Sequence, residues 1–122
     1  MNIIITESQS EKIIDDQKVD RYAKMLGSLM KTLYELYDTY DEKTGDTDIK
    51  EDGELVFYYD WDRKLFGFSV IVLEYLHKRT NLPIFDYTEV KTNNRKMFDE
   101  VVKKFAKDEY GFDVNDVSFH WY

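Results

Sequence analysis

Apolar positions along the chain switch between two periods, and the switches mark its elements. From Val19 to Tyr37, Val19, Tyr22, Leu26, Leu29, Leu33 and Leu36 recur at alternating three- and four-residue spacing, widened by Ala23, Met30 and Tyr37. That period predicts an amphipathic helix laid against a core. From Glu54 to Val70, ELVFYYDWDRKLFGFSV alternates on both sides of a polar bend at Asp62 and Arg63. Folded as a hairpin, it puts Leu55, Phe57, Tyr59 and Trp61 on one face with Phe66, Phe68 and Val70, and sets Gly67 opposite Tyr58, whose ring would cover it. A further helix is expected after Asn93 or Asn94, with Met97, Phe98, Val101, Val102 and Phe105 as its stripe and Gly111 as its left-handed stop. The chain closes on VSFHWY, where Val117, Phe119 and Trp121 alternate with Ser118, His120 and Tyr122 as in a half-buried strand.

The intervening stretches carry weaker patterns. The opening MNIIITESQSEKII reads as a short strand at Ile3–Ile5 running into a short helix, because Thr6 with Gln9 and Ser8 with Glu11 each place a hydroxyl three residues before a side chain that can reach back to the cap. Its apolar run is too short for a secretory signal or a membrane span. Ile71 to Arg79 is densely apolar and leans helical, with Asn81 and Pro83 as a stop; Ile84–Val90 reads as a short strand or an ordered loop. Asp38 to Gly53 is polar and twice broken by glycine, which reads as a mobile acidic surface loop at 38–53. Together these elements predict an α+β fold over residues 1–122 as one globular domain: a small, mainly antiparallel sheet with a central hairpin, packed against two or three helices.

Charge and composition then narrow the function. The net charge is −8, and from Asp38 to Glu54 eight acids face two lysines, so one segment holds six of those charges. Such a surface repels nucleic-acid phosphates and anionic membranes, so neither is expected as a direct partner. There is no cysteine, which removes disulfides, thiolate metal sites and thiol nucleophiles and fits a cytoplasmic setting.

Few motifs suggest chemistry. Asp48, Lys50, Asp52, Gly53 and Leu55 fall on a calcium-loop frame, but Lys50 puts a cation on a ligand position and Tyr59 stands where a bidentate glutamate belongs. Asp60 and Asp62 with Glu89-x-Lys91 form the bare skeleton of a metal-dependent hydrolase. His77 reads as part of a cationic helix end and His120 as the solvent side of a strand. No cofactor is expected. The basic residues of the Asn94–Gly111 helix read as an ion-paired outer face through Lys96–Glu100, Asp99–Lys103 and Glu100–Lys104. The stronger signal is a concentration of carboxylates beside amphipathic rings, the pairing that suits a protein interface. The residues expected to meet a partner are Asp41, Glu42, Asp46, Asp48, Glu51, Asp52, Tyr37, Tyr40, Tyr58 and Trp61.

The segment ITESQSEKII resembles the opening of short proteins encoded by tailed bacteriophages, over about a tenth of the chain. The resemblance implies a small viral accessory protein in the cytoplasm of a bacterial host and assigns no residue a role. With the acidic surface, it leads to the expectation of a non-enzymatic protein that binds a host or viral protein, in its sharpest form by mimicking nucleic-acid charge. A mobile loop tells against the mimic, since flexible carboxylates lose entropy on binding. The alternatives are a self-assembling protein, dimerising through the 19–36 helix or an edge strand, and the metal-dependent hydrolase.

Overall fold

The computed structural model of the chain describes residues 7–120, with residues 7–15 described by backbone alone. The elements are α1 (Glu7–Leu33), β1 (Tyr37–Asp41), β2 (Asp46–Glu51), β3 (Glu54–Asp60), β4 (Leu65–Ser69), α2 (Val70–Thr80), a 3-10 turn (Pro83–Phe85), α3 (Tyr87–Thr92), α4 (Arg95–Tyr110) and β5 (Asp116–His120). Among the described residues, five strands stand in chain order in one sheet. β1 to β4 form an antiparallel meander, and β5 returns through α2, α3 and α4 to pair with β4 in parallel, so β1 and β5 are the edges. The expected α+β class holds, with four helices rather than two or three.

Register decides which residues share a face. Asp38, Ile49, Phe57, Phe68 and Phe119 form one row across the sheet, and Tyr40, Thr47, Tyr59, Phe66 and Val117 the next. From β2 to β4 these side chains are buried, and α4 covers them. Phe105 meets Phe57 edge-on at 5.9 Å, and Phe98 meets Phe68 at 5.8 Å and 90°. Burying each ring contributes about 1.5–3 kcal/mol, so this face supplies much of the drive to fold. The predicted face of Phe57, Tyr59, Phe66 and Phe68 is therefore present; Val70, placed on it from sequence, instead opens α2 directly after β4.

α1 packs on α4 through Ala23, Leu26 and Met30, with Val19, Tyr22, Leu29 and Leu33 half-buried beside them. The stripe that offered a dimer seam is thus used inside the chain. α1 is one continuous helix rather than a short helix followed by a second, and it stops at Leu33 because Tyr37 already belongs to β1. Since α1 begins at Glu7, Ser8 lies within it rather than at its cap. The Ile3–Ile5 strand, Thr6, and Trp121 with Tyr122 lie outside the described residues, as do the side chains of Ser8, Gln9 and Glu11.

Two further expectations change, and one, the helical lean of Ile71–Arg79, holds. Ile84–Val90 is no strand: Pro83 opens a 3-10 turn, and Asp86 caps α3 by accepting from the Thr88 amide at 3.1 Å. Ile71–Arg79 resolves as helix, ended by Asn81 at φ 54°. On α4 the pairs are Arg95–Asp99, Lys103–Glu100 and Lys104–Asp108 rather than those expected, because Lys104 also reaches Asp20 on α1 and Arg95 donates to the Val117 carbonyl of β5.

Gly67 sits opposite Tyr58, as the alternation predicted. A Cβ there would come within 2.0 Å of the Tyr58 ring, which lies over the glycine and reaches His120 on β5 at 5.4 Å. His120 is consequently half-buried rather than solvent-facing, and burial pushes its imidazole down to about 4, so it is neutral at pH 7. Gly67→Ala is expected to lower stability by about 1–3 kcal/mol through overpacking. In a Tyr58→Ala background most of that penalty should vanish. Urea unfolding of the four-member cycle checks this, and an equal penalty in both backgrounds would contradict it.

Candidate functional site

The acidic segment is where sequence and structure part most sharply. Residues 38–53, read as a mobile loop, form most of β1, all of β2 and two short turns. Asp41 closes the first turn: its carbonyl accepts from the Gly45 amide and its carboxylate from the Lys43 amide, both at 2.8 Å. The second turn is Asp52-Gly53, with φ 50° and 80°. Two successive left-handed residues match the twist of the flanking strands, which is why Asp-Gly closes tight hairpins. In the sequence that dipeptide is the hairpin signal, and Gly53 belongs to the turn rather than to a loop. Apolar alternation could not reveal the strands, because only Thr47 and Ile49 of the ten residues from Tyr40 to Ile49 reach the core.

The pairing gives the acids a defined geometry. On the face opposite the aromatic rows, Asp41, Asp46, Asp60, Leu65 and Asp116 stand in one row across all five strands. Asp48 lies two residues from Asp46 on the same face, between Thr39 and Tyr58. Neighbouring strands are about 5 Å apart, so Asp41, Asp46 and Asp60 stand as backbone partners on three adjacent strands, with the Asp41 and Asp60 carboxylates turned toward amides of their own turns. Like charges so placed oppose folding. Compensation is slight: Arg63 approaches Asp60 and Lys50 approaches Asp48, each only at 3.9 Å. Among the described residues no cation lies within ion-pair distance of Asp41 or Asp46. Partial burial, then Asp60, Asp48 and Asp41 in that order, push the Asp46 carboxyl above the usual carboxylate range.

The other expected contact residues distribute around this row. Glu42 sits in the first turn, Asp52 in the second, and Glu51 at the end of β2 opposite Glu54. Burial, then Asp52, Glu54 and Glu35, raise the Glu51 carboxyl. Tyr37 and Tyr40 are exposed on β1, but strand alternation points them to opposite faces. Trp61 is half-exposed at the β3–β4 turn; its Nε1 donates to Thr47 Oγ1 at 2.7 Å and its ring stands edge-on to Tyr59 and Phe112. Tyr58 is not presented to a partner in this way, since its ring is laid over Gly67.

The hydrolase skeleton does not assemble. Asp60 Oδ1 accepts from the Asp62 and Arg63 amides, while Glu89 and Lys91 lie on α3, where Glu89 accepts from Asn93 and Lys91 Nζ sits 4.9 Å from the Tyr87 ring centre. Among the described residues, no three His, Cys, Asp or Glu side chains gather where they could hold a metal ion, and no helix is long and apolar enough to cross a membrane. Asp60, read from sequence as a metal ligand, stands instead in the carboxylate row. No protein-family model, curated protein or solved structure matches the chain.

Because folding raises the proton affinity of Asp46, the native state binds more protons than the unfolded chain between the usual carboxylate pKa and the raised one. Its contribution is therefore most favourable below that window and is lost as pH rises through it. Asp46→Asn is expected to stabilise the protein by roughly 0.5–1 kcal/mol at pH 7 and to confer little below pH of about 3. Thermal melts of both proteins across pH check this; destabilisation at pH 7 would contradict it.

Proposed function

We propose that the protein is a non-enzymatic binding module whose carboxylate row engages a basic surface of another protein, in the manner of a nucleic-acid backbone. The observation that carries this reading is the alignment of Asp41, Asp46 and Asp60 on three paired strands with little cationic compensation. An arrangement that opposes folding yet sits on ordered strands supports a use outside the fold. The hairpin also removes the entropic objection to a mimic, because its carboxylates are spaced before the partner arrives. Tyr40 and Trp61 are exposed at the same end of the sheet but on its other face, Tyr40 in the row of Thr47 and Tyr59 and Trp61 bonded to Thr47, so the charge row itself carries the contact. The phage-like opening segment supports a bacterial host protein as the partner. Self-assembly is the weaker reading: the α1 stripe is covered by α4, and edge strand β1 carries Asp38 and Asp41, charges that discourage edge pairing, which leaves β5 as the edge such an assembly would use.

The test compares two variants of equal net charge. One neutralises the row (Asp41→Asn, Asp46→Asn, Asp60→Asn); the other neutralises three acids on helices (Glu74→Gln, Glu100→Gln, Asp108→Asn). Affinity for basic DNA-binding proteins of a bacterial lysate, measured across a salt series and with duplex DNA as competitor, is expected to fall about tenfold or more for the row variant and little for the control. Equal losses would show that only net charge matters and would overturn the reading.

A further inference from the structure

A concave feature lies at the other end of the β2–β3 hairpin from the carboxylate row. The last turn of α1, the Asp52-Gly53 turn and the start of α2 enclose an open groove of about 730 Å³, within the range of small-ligand and peptide sites. Its apolar walls are Leu33, Leu55, Val56, Ile71 and Val72, with the rings of Tyr34 and Tyr75 5.9 Å apart. Ile71 and Tyr75, one turn apart on α2, are two of the few large apolar residues left exposed, at 49% and 40%. Ser69 is 1% exposed, yet its hydroxyl makes no cap bond to α2 and the residue lines the groove. The charged lining is Asp48, Glu51 and Glu54 against Lys50 alone, which already leans toward Asp48. The wall is thus apolar and aromatic while the rim is anionic, which disfavours fatty acids, phosphates and acidic peptides.

We propose that this groove binds a short basic and apolar peptide segment of a partner protein, seating a large aliphatic or aromatic side chain between Ile71, Val72 and Tyr75 with a flanking lysine or arginine on Glu51 and Glu54. An apolar anchor desolvated in a pocket, with charge at its rim, supplies specificity that a row of carboxylates lacks. The site shares Asp48 and Glu51 with the acidic hairpin but uses none of the row residues, so the two can fail separately.

Fluorescence anisotropy with a labelled hexapeptide of alternating lysine and leucine tests it, beside a peptide with glutamate in place of lysine. The wild type is expected to bind the lysine peptide and not the glutamate peptide. Ile71→Lys and Glu54→Lys, both at exposed positions and checked for an unchanged circular dichroism spectrum, should each weaken binding about tenfold, while the Asp41/Asp46/Asp60 neutralised variant should stay within about twofold of wild type. Binding that survives either lysine substitution, or equal affinity for the glutamate peptide, would overturn the groove as the site. Loss in the row variant together with survival in Ile71→Lys would assign the peptide to the row instead. Groove binding that behaves as expected while the row variant still captures basic proteins would retain this site and reject the charge-mimic reading.

Discussion

The structure depends on the packing of aromatic rings from β3 and β4 against α4. Phe57, Phe66 and Phe68 are fully buried, Tyr59 nearly so, and Phe98 and Phe105 close over them from the helix. This contact sets the β3–β4 register, because a slip of one residue would turn the whole aromatic set to the opposite face and bring the Gly67 side under the helix. It also anchors β5, whose Val117 and Phe119 extend the same rows. Stacking continues past the sheet: Phe112 lies on Tyr59 at 4.3 Å and 7°, and the Tyr59 hydroxyl donates to the Asp113 carbonyl, so the end of α4 is tied to the strand it covers.

The acidic hairpin follows from that anchor. β2 contributes only Ile49 and Thr47 to the core, and β1 is exposed along its length, so these strands are ordered mainly by pairing to β3 and by two tight turns. A bulge between Ile49 and Lys50 lets the hairpin bend at its outer end, where the groove lies. Both candidate surfaces thus sit at opposite ends of one element that the aromatic core holds in place. The carboxylate row draws on stability supplied elsewhere, a division common where function conflicts with folding.

How much of this was legible in the sequence varied with burial. The β3–β4 hairpin, including Tyr58 over Gly67, could be read because both strands have a buried face and the alternation is sharp. α4 was legible for the same reason at the helical period. β1 and β2 were not, since Asp-Thr-Tyr-Asp and Asp-Thr-Asp-Ile-Lys have almost no apolar alternation, and their strand character rests on tertiary pairing and the Asp-Gly turn. Ile84–Val90 misled because a β-branched and aromatic run after proline also suits a turn entering a short helix. Nearly all the acidic residues of the site were recognisable by composition. Their alignment was not, because it depends on register between strands the pattern did not disclose. The groove was equally hidden, being made by residues from α1, β2, β3 and α2 that only the fold brings together.

The central claim is that the segment carrying most of the negative charge is an ordered hairpin that presents its carboxylates at fixed spacing. Amide hydrogen exchange followed by NMR tests it most directly. The account predicts that amides of β2 joined to β3 exchange at least about a hundredfold more slowly than an unstructured chain, with β1 less protected but still slowed. Exchange at unstructured rates throughout residues 38–53, beside a protected β3–β4 hairpin, would contradict it.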